Sequence, residues 1–156
     1  MKITLLAVGS RMNDWVIAGV DEYSKRLRGV VEFTLVEVPL ARRGKSANID
    51  QLVQKEGRVL LDKIPAGDFV VALEVGGRIL DTDGFASRLE NIRDSSRDLS
   101  LLVGGPEGLA DACRQRADEA WSLSALTLPH PLVRIIVAEQ VYRAFSLLQG
   151  HPYHRK

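Results

Sequence analysis

Short apolar, β-branched runs alternate along this chain with longer stretches in which apolar residues recur at helical spacing. "KITLLAVG" at 2–9 has the near-continuous hydrophobicity of a strand buried on both faces. Behind it, "NDWVIAGVDEYSKRLR" reads as a helix that Asn13 or Asp14 can cap through a side-chain oxygen. "VVEFTLVEV" at 30–38 predicts a second strand, ended by Pro39. Within 46–64, Ile49, Leu52, Val53, Leu60 and Leu61 fall near one face of a helix. "DFVVALEV" at 68–75 predicts a third strand closed by Gly76 and Gly77, and Thr82 is placed to cap a helix reaching Asp94. "LSLLVG" at 99–104 gives a fourth strand, with a short helix in "LADACRQRADEA" after it. "WSLSALTL" at 121–128 predicts a fifth strand running into a loop. The longest helix follows in "PLVRIIVAEQVYRAFSLLQ", where Pro131 suits the first turn.

Apolar strands separated by helices predict a parallel sheet covered on both faces, in one α/β domain spanning 1–156. The sequence contains no internal repeat and no low-complexity linker. Ligands of such sheets bind outside the carboxyl ends of the strands. That directs attention to 73–77, 104–108 and 123–130.

Composition narrows the class without changing the fold. Of 156 residues, 46% are hydrophobic and 26% charged, the balance of a globular protein whose core needs no disulfide or metal. The lone cysteine, Cys113, fits a reducing compartment. The N-terminal run lacks the pattern of a signal peptide, and no apolar stretch approaches the ~18 residues of a membrane span. A cytoplasmic protein without membrane contact is expected. A net charge of +1 announces no nucleic acid globally. Local cations do cluster, in "ARRGK" at 41–45 and "HRK" at 154–156. Arg42, Arg43 and Lys45 are either a solvated loop or contacts for an RNA backbone.

"GKS" at 44–46 fails as a nucleotide P-loop, because Pro39 stands where the first glycine should be. "GGPEG" at 104–108 sits between strand and helix but lacks the G-x-G-x-x-G spacing of a dinucleotide site. It is either an ordinary tight turn or a place where backbone approaches a ligand. "SLSALTLPHP" offers hydroxyls among leucines, then His130 between two prolines. It can cradle a nucleobase, or it is a core strand leading into a helix that His130 caps. His151 and His154 are too few for a zinc site, so no metal is expected. No G-x-S-x-G elbow points to a serine hydrolase. Glu139 and Arg143 are spaced to pair on a helix, and Trp15 and Trp121 read as core or interface aromatics.

Taken together, "LLVGGPEG", "WSLSALTLPHPLVRIIVAEQVYRAFS" and the terminal "HPYHRK" closely resemble the SPOUT-class RNA methyltransferases. Within that class they resemble the bacterial enzymes that methylate N3 of a pseudouridine in 23S rRNA of the large ribosomal subunit. The resemblance covers essentially the whole chain. It implies a deep trefoil knot in the C-terminal part of the sheet, bound S-adenosylmethionine, a homodimer, and an assembled ribosome as substrate. Carried onto this sequence, the cofactor pocket falls at Leu73, Gly104 and the run Leu123, Ser124, Ala125, Leu126, Thr127 and Leu128, with Gly105 and Gly108 shaping its wall. For methyl transfer, His154 is the candidate base, Arg143 or Arg155 the partner of developing negative charge, and Tyr153 a stacking surface for the target base. His130 is a second candidate. Two other classes compete: a catalytically silent RNA- or ribosome-binding factor on the same fold, and a flavodoxin-like nucleotide protein, which the missing P-loop spacing disfavours.

Overall fold

A strand covered on both faces must send apolar side chains both ways, and these strands do. The computed structural model describes residues 1–154, and of His154 the backbone alone. Its strands are β1 (Lys2–Val8), β2 (Glu32–Val38), β3 (Phe69–Ile79), β4 (Leu99–Val103) and β5 (Glu119–Ser122). They alternate with α1 (Asp14–Arg26), α2 (Ile49–Asp62), α3 (Thr82–Asp94), α4 (Asp111–Arg116) and α5 (His130–Leu148), before a 3₁₀ turn at Pro152–His154. All pairings are parallel, in the order β2-β1-β4-β3-β5.

Ile3, Leu5, Val71, Leu73, Leu99 and Leu101 point to one face, where they meet Phe85 and Leu89 of α3 and Val137 and Val141 of α5. Leu6, Val8, Val70, Ala72 and Leu102 point to the other, against Leu60 of α2 and Cys113 of α4. Each of the Val, Leu, Ile and Phe side chains among them contributes roughly 1.5–3 kcal/mol when fully buried. Helices α1, α3 and α5 pack together on the first face, and α2 contacts α4 on the second.

Two strands depart from the sequence pattern. β3 does not close at Gly76–Gly77 but continues to Ile79, after a bulge that sets both Leu73 and Arg78 opposite Trp121. A Cβ on Gly77 would lie 2.5 Å from the Trp121 carbonyl carbon, so the glycine admits the strand instead of ending it. β5 begins at Glu119 and stops at Ser122, well short of Leu128. The hydroxyls explain the stop: Ser122 donates to the Ser124 carbonyl at 2.9 Å, and the Leu126 amide donates to Ser124 Oγ at 3.0 Å. Such local bonds replace a strand ladder with a loop. At α3 the cap is Asp81 rather than Thr82, accepting from the Gly84 amide at 2.7 Å. Asn13 precedes α1 without a side-chain capping bond.

Arg134 is fully buried between α5 and the ends of β1 and β2. Its Nη1 donates to Glu37 at 2.7 Å, and its Nη2 donates to the carbonyls of Gly9 at 2.7 Å and Val8 at 3.3 Å. Removing the guanidinium leaves the Val8 and Gly9 carbonyls without this donor, at about 1–3 kcal/mol for each buried group left unsatisfied, while Glu37 is partly exposed and can rehydrate. Arg134→Met should therefore lower the unfolding free energy by about 3 kcal/mol. Urea denaturation checks this, and a loss below about 1 kcal/mol would contradict the network's role.

Candidate active site

The carboxyl ends of β3, β4 and β5 open into a cavity of about 580 Å³. Its wall includes Leu73, Gly104, Gly105, Gly108, Leu123, Ser124, Leu126, Thr127 and Leu128, so the structure brings together every residue expected there except Ala125. The turn at 105–108 is closed by the Gly108 amide donating to the Gly105 carbonyl at 3.0 Å. A Cβ on Gly104 would stand 2.3 Å from the Gly108 carbonyl carbon, so this wall is bare backbone by necessity. Opposite lies the 123–128 loop, whose leucines supply the apolar surface.

His130, in the first turn of α5, also lines the cavity. Its Nδ1 is buried and has no hydrogen-bond partner among the described residues. Burial, and then the nearby Arg134 guanidinium, hold its pKa below the usual 6.5. At neutral pH the imidazole is therefore uncharged and can accept a proton. Helix α5 begins here on Pro129 as its N-cap, so His130 does not cap it.

The basic loop divides. Arg43 is committed internally: its Nη1 donates to Glu56 at 3.1 Å and to the Ala41 carbonyl at 2.9 Å, while its Nη2 pairs with Glu107 of the glycine turn. Glu56 is buried and also accepts from the Ala41 amide at 2.9 Å. Arg42 and Lys45 are exposed.

The described part of the tail, as far as Tyr153, packs on α5 and does not line the cavity of its own chain. Tyr153 packs edge-on against Tyr142 at 4.6 Å, lies 5.0 Å from the Arg143 guanidinium, and donates its hydroxyl to Glu139 at 3.2 Å. Burial, then a bond with Tyr23 and the Glu139 charge, raise its pKa to about 12, so the phenol stays protonated. Arg143 itself pairs with Glu139 through Nε at 2.9 Å. Neither Arg143 nor Tyr153 lines the cavity. The His154 side chain and Arg155 lie outside the described residues.

Sequence reasoning missed Arg134, Glu37, Glu74 and Arg114. Arg134 had a visible signal, a lone cation inside the apolar run "PLVRIIVA". Glu74 had another, a carboxylate closing a buried strand. Among the described residues no three His, Cys, Asp or Glu side chains are grouped to hold a metal ion.

The depressed His130 pKa carries a sign. The unfolded chain takes up this proton first as pH falls through 6.5, so stability present above that pH is lost below it. Between pH 7.5 and 5.5, urea midpoints should fall more in the wild type than in His130→Gln; equal slopes would remove His130 from this account.

A family model described as "Predicted SPOUT methyltransferase" matches residues 1–154. The chain is 54% identical, over 156 residues and 100% of both chains, to the Ribosomal RNA large subunit methyltransferase H of Thioalkalivibrio sulfidiphilus (strain HL-EbGR7). It is 51% identical, over 99% of this chain and 100% of the relative, to the protein of the same name from Marinomonas sp. (strain MWYL1). Among solved structures, a probable methylase family protein from Haemophilus influenzae Rd KW20 matches in fold with a TM-score of 0.55 and 12% identity, covering 99% of this chain and 70% of that one. With a family model matched over residues 1–154 and relatives more than half identical from end to end, the chain belongs to the SPOUT methyltransferase family.

Proposed function

We propose that this chain methylates N3 of a pseudouridine in 23S rRNA, using S-adenosylmethionine and acting as a homodimer on the assembled large ribosomal subunit in the cytoplasm. The observation that carries this is the 580 Å³ cavity, lined by the residues that the resemblance assigns to the cofactor, in a chain matched end to end by relatives named as rRNA methyltransferases.

The wall fits such a cofactor. Leucines of the 123–128 loop and Leu73 offer apolar surface for an adenine, and the bare backbone of Gly104, Gly105 and Gly108 lets a ligand approach closely. When bound, S-adenosylmethionine supplies an electrophilic methyl group on a sulfonium. The chain must then hold a uracil-type N3 in line, exclude water and accept the N3 proton.

His154 is the base in this reading, and Arg155 stabilises negative charge developing on the flanking carbonyl oxygens. Arg143 and Tyr153 anchor the tail that carries them, through Glu139 and Tyr142. That anchor is Glu139, nine residues along α5 from His130, or about 13 Å at 1.5 Å per residue. In this reading the tail serves the cavity of the partner protomer. Exposed Trp15 and Ile17 on α1 and Leu132 on α5, two helices that pack on each other, supply an apolar face for the dimer. Among the described residues no helix is long and apolar enough to cross a membrane. Arg42 and Lys45 contact RNA phosphates, while Arg43 holds their loop against the glycine turn. With a net charge of +1 the protein grips naked RNA poorly, and the folded ribosome supplies the remaining surface.

The test is methyl transfer from labelled S-adenosylmethionine to ribosomes and to free rRNA, followed by mapping of the modified nucleotide. Label should appear on N3 of a 23S pseudouridine, and at least tenfold faster on ribosomes than on free RNA, to order of magnitude. Binding of ribosomes with no transfer would favour a silent ribosome-binding factor.

A further inference from the structure

Two charged side chains in the cavity wall have no part in the reading above: Glu74 at the end of the buried part of β3, and Arg114 on α4. The rest of the described wall is Leu, Val, Pro, Gly and hydroxyl groups, with His130 neutral. We propose that the Glu74–Arg114 pair is the subsite for the amino-acid end of S-adenosylmethionine, Arg114 receiving its α-carboxylate and Glu74 its α-ammonium. This rests on the cavity being the cofactor site.

The pairing geometry suits a zwitterion. Arg114 Nε donates to Glu74 Oε2 at 2.8 Å, which sets a cation and an anion side by side at the cavity wall. A ligand bearing both charges on one carbon meets the pair with each sign opposed. Capacity remains on both partners. Arg114 spends Nε on Glu74 and Nη1 on Asp111 at 3.0 Å, while Nη2 has no acceptor among the described residues. That Nη2 lies 3.7 Å from where a Cβ on Gly108 would stand, beside the glycine turn. Glu74 Oε1 likewise accepts no bond among the described residues.

Both side chains are partly exposed, at 42% and 27%, so a ligand can reach them without breaking a buried pair. A pair so exposed contributes little to folding. A ribose diol would engage the carboxylate of Glu74 and leave Arg114 idle, whereas the zwitterion uses both. The division of the wall follows the division of the ligand: leucines for the nucleoside, ions for the amino acid.

Calorimetry with two probes tests the assignment. S-adenosylhomocysteine carries the amino-acid end, and 5′-methylthioadenosine is the same nucleoside thioether without it. Glu74→Gln and Arg114→Gln should each weaken S-adenosylhomocysteine binding about tenfold or more, the loss of a charge-assisted hydrogen bond, and change 5′-methylthioadenosine binding less than about twofold. Arg114→Lys, which keeps the charge without the fork, should lose less. Equal weakening of both probes would assign the pair to the ribose or to the integrity of the wall, and unchanged binding of both would remove it from the site. Either outcome overturns the inference alone. A wild-type protein that binds neither probe overturns the cofactor reading and this inference with it.

Discussion

Everything at the functional end of this molecule hangs on a guanidinium that water cannot reach. Arg134 sits where regular structure gives out, at the last residues of β1 and β2 and the first turn of α5. Strand ends leave carbonyls without ladder partners, and a buried carbonyl without a donor is costly. Arg134 supplies donors to Val8 and Gly9 while Glu37 neutralises it. The first turn of α5 is thereby fixed against the sheet, and His130 is held one helical turn away at the cavity. Burial first, and then this same charge, hold that histidine's pKa below its usual value.

A second bracket does comparable work on the opposite face. Arg43 ties the basic loop both to the buried Glu56 of α2 and to Glu107 in the glycine turn. A loop exposing Arg42 and Lys45 is thus mechanically continuous with the backbone that walls the cavity. The basic loop and the glycine turn therefore form one connected element. The cavity is held from both sides by arginines, neither of which lines it.

The fold was legible because its alternation is nearly pure. Ile3, Leu5 and Ala7 face one layer and Leu6 and Val8 the other, and that pattern alone announces a two-sided sheet. The errors arose where a residue answered to a particular partner, distant or local, rather than to the period of its segment. Gly77 reads as a strand terminator, yet its missing side chain is what lets β3 pass Trp121. "LSALTL" reads as strand, yet Ser122 and Ser124 spend their hydroxyls on a loop. The cavity wall was legible for another reason, since strand ends are where such sheets bind ligands. Its ionic members were not, because Glu74 and Arg114 are 40 residues apart and meet only across the fold. The knot that the resemblance implies is a property of threading, which periodicity does not encode. The tail was the subtlest case. "HPYHRK" suggested a base, a cation and a stacking tyrosine, and Tyr153 packs on α5 rather than over its own cavity.

That placement makes the central claim a composite site, with cavity from one protomer and tail from the other. Co-expression of two defective chains measures it directly. One chain lacks residues 151–156, and the other carries Gly104→Ala, whose methyl group has no room beside Gly108. Each alone should be inactive on ribosomes, the first while still binding S-adenosylhomocysteine. Together they should recover methyl transfer, because mixed dimers hold one intact cavity facing one intact tail. Activity in the tail-deleted chain alone, or no recovery in verified mixed dimers, would contradict the account.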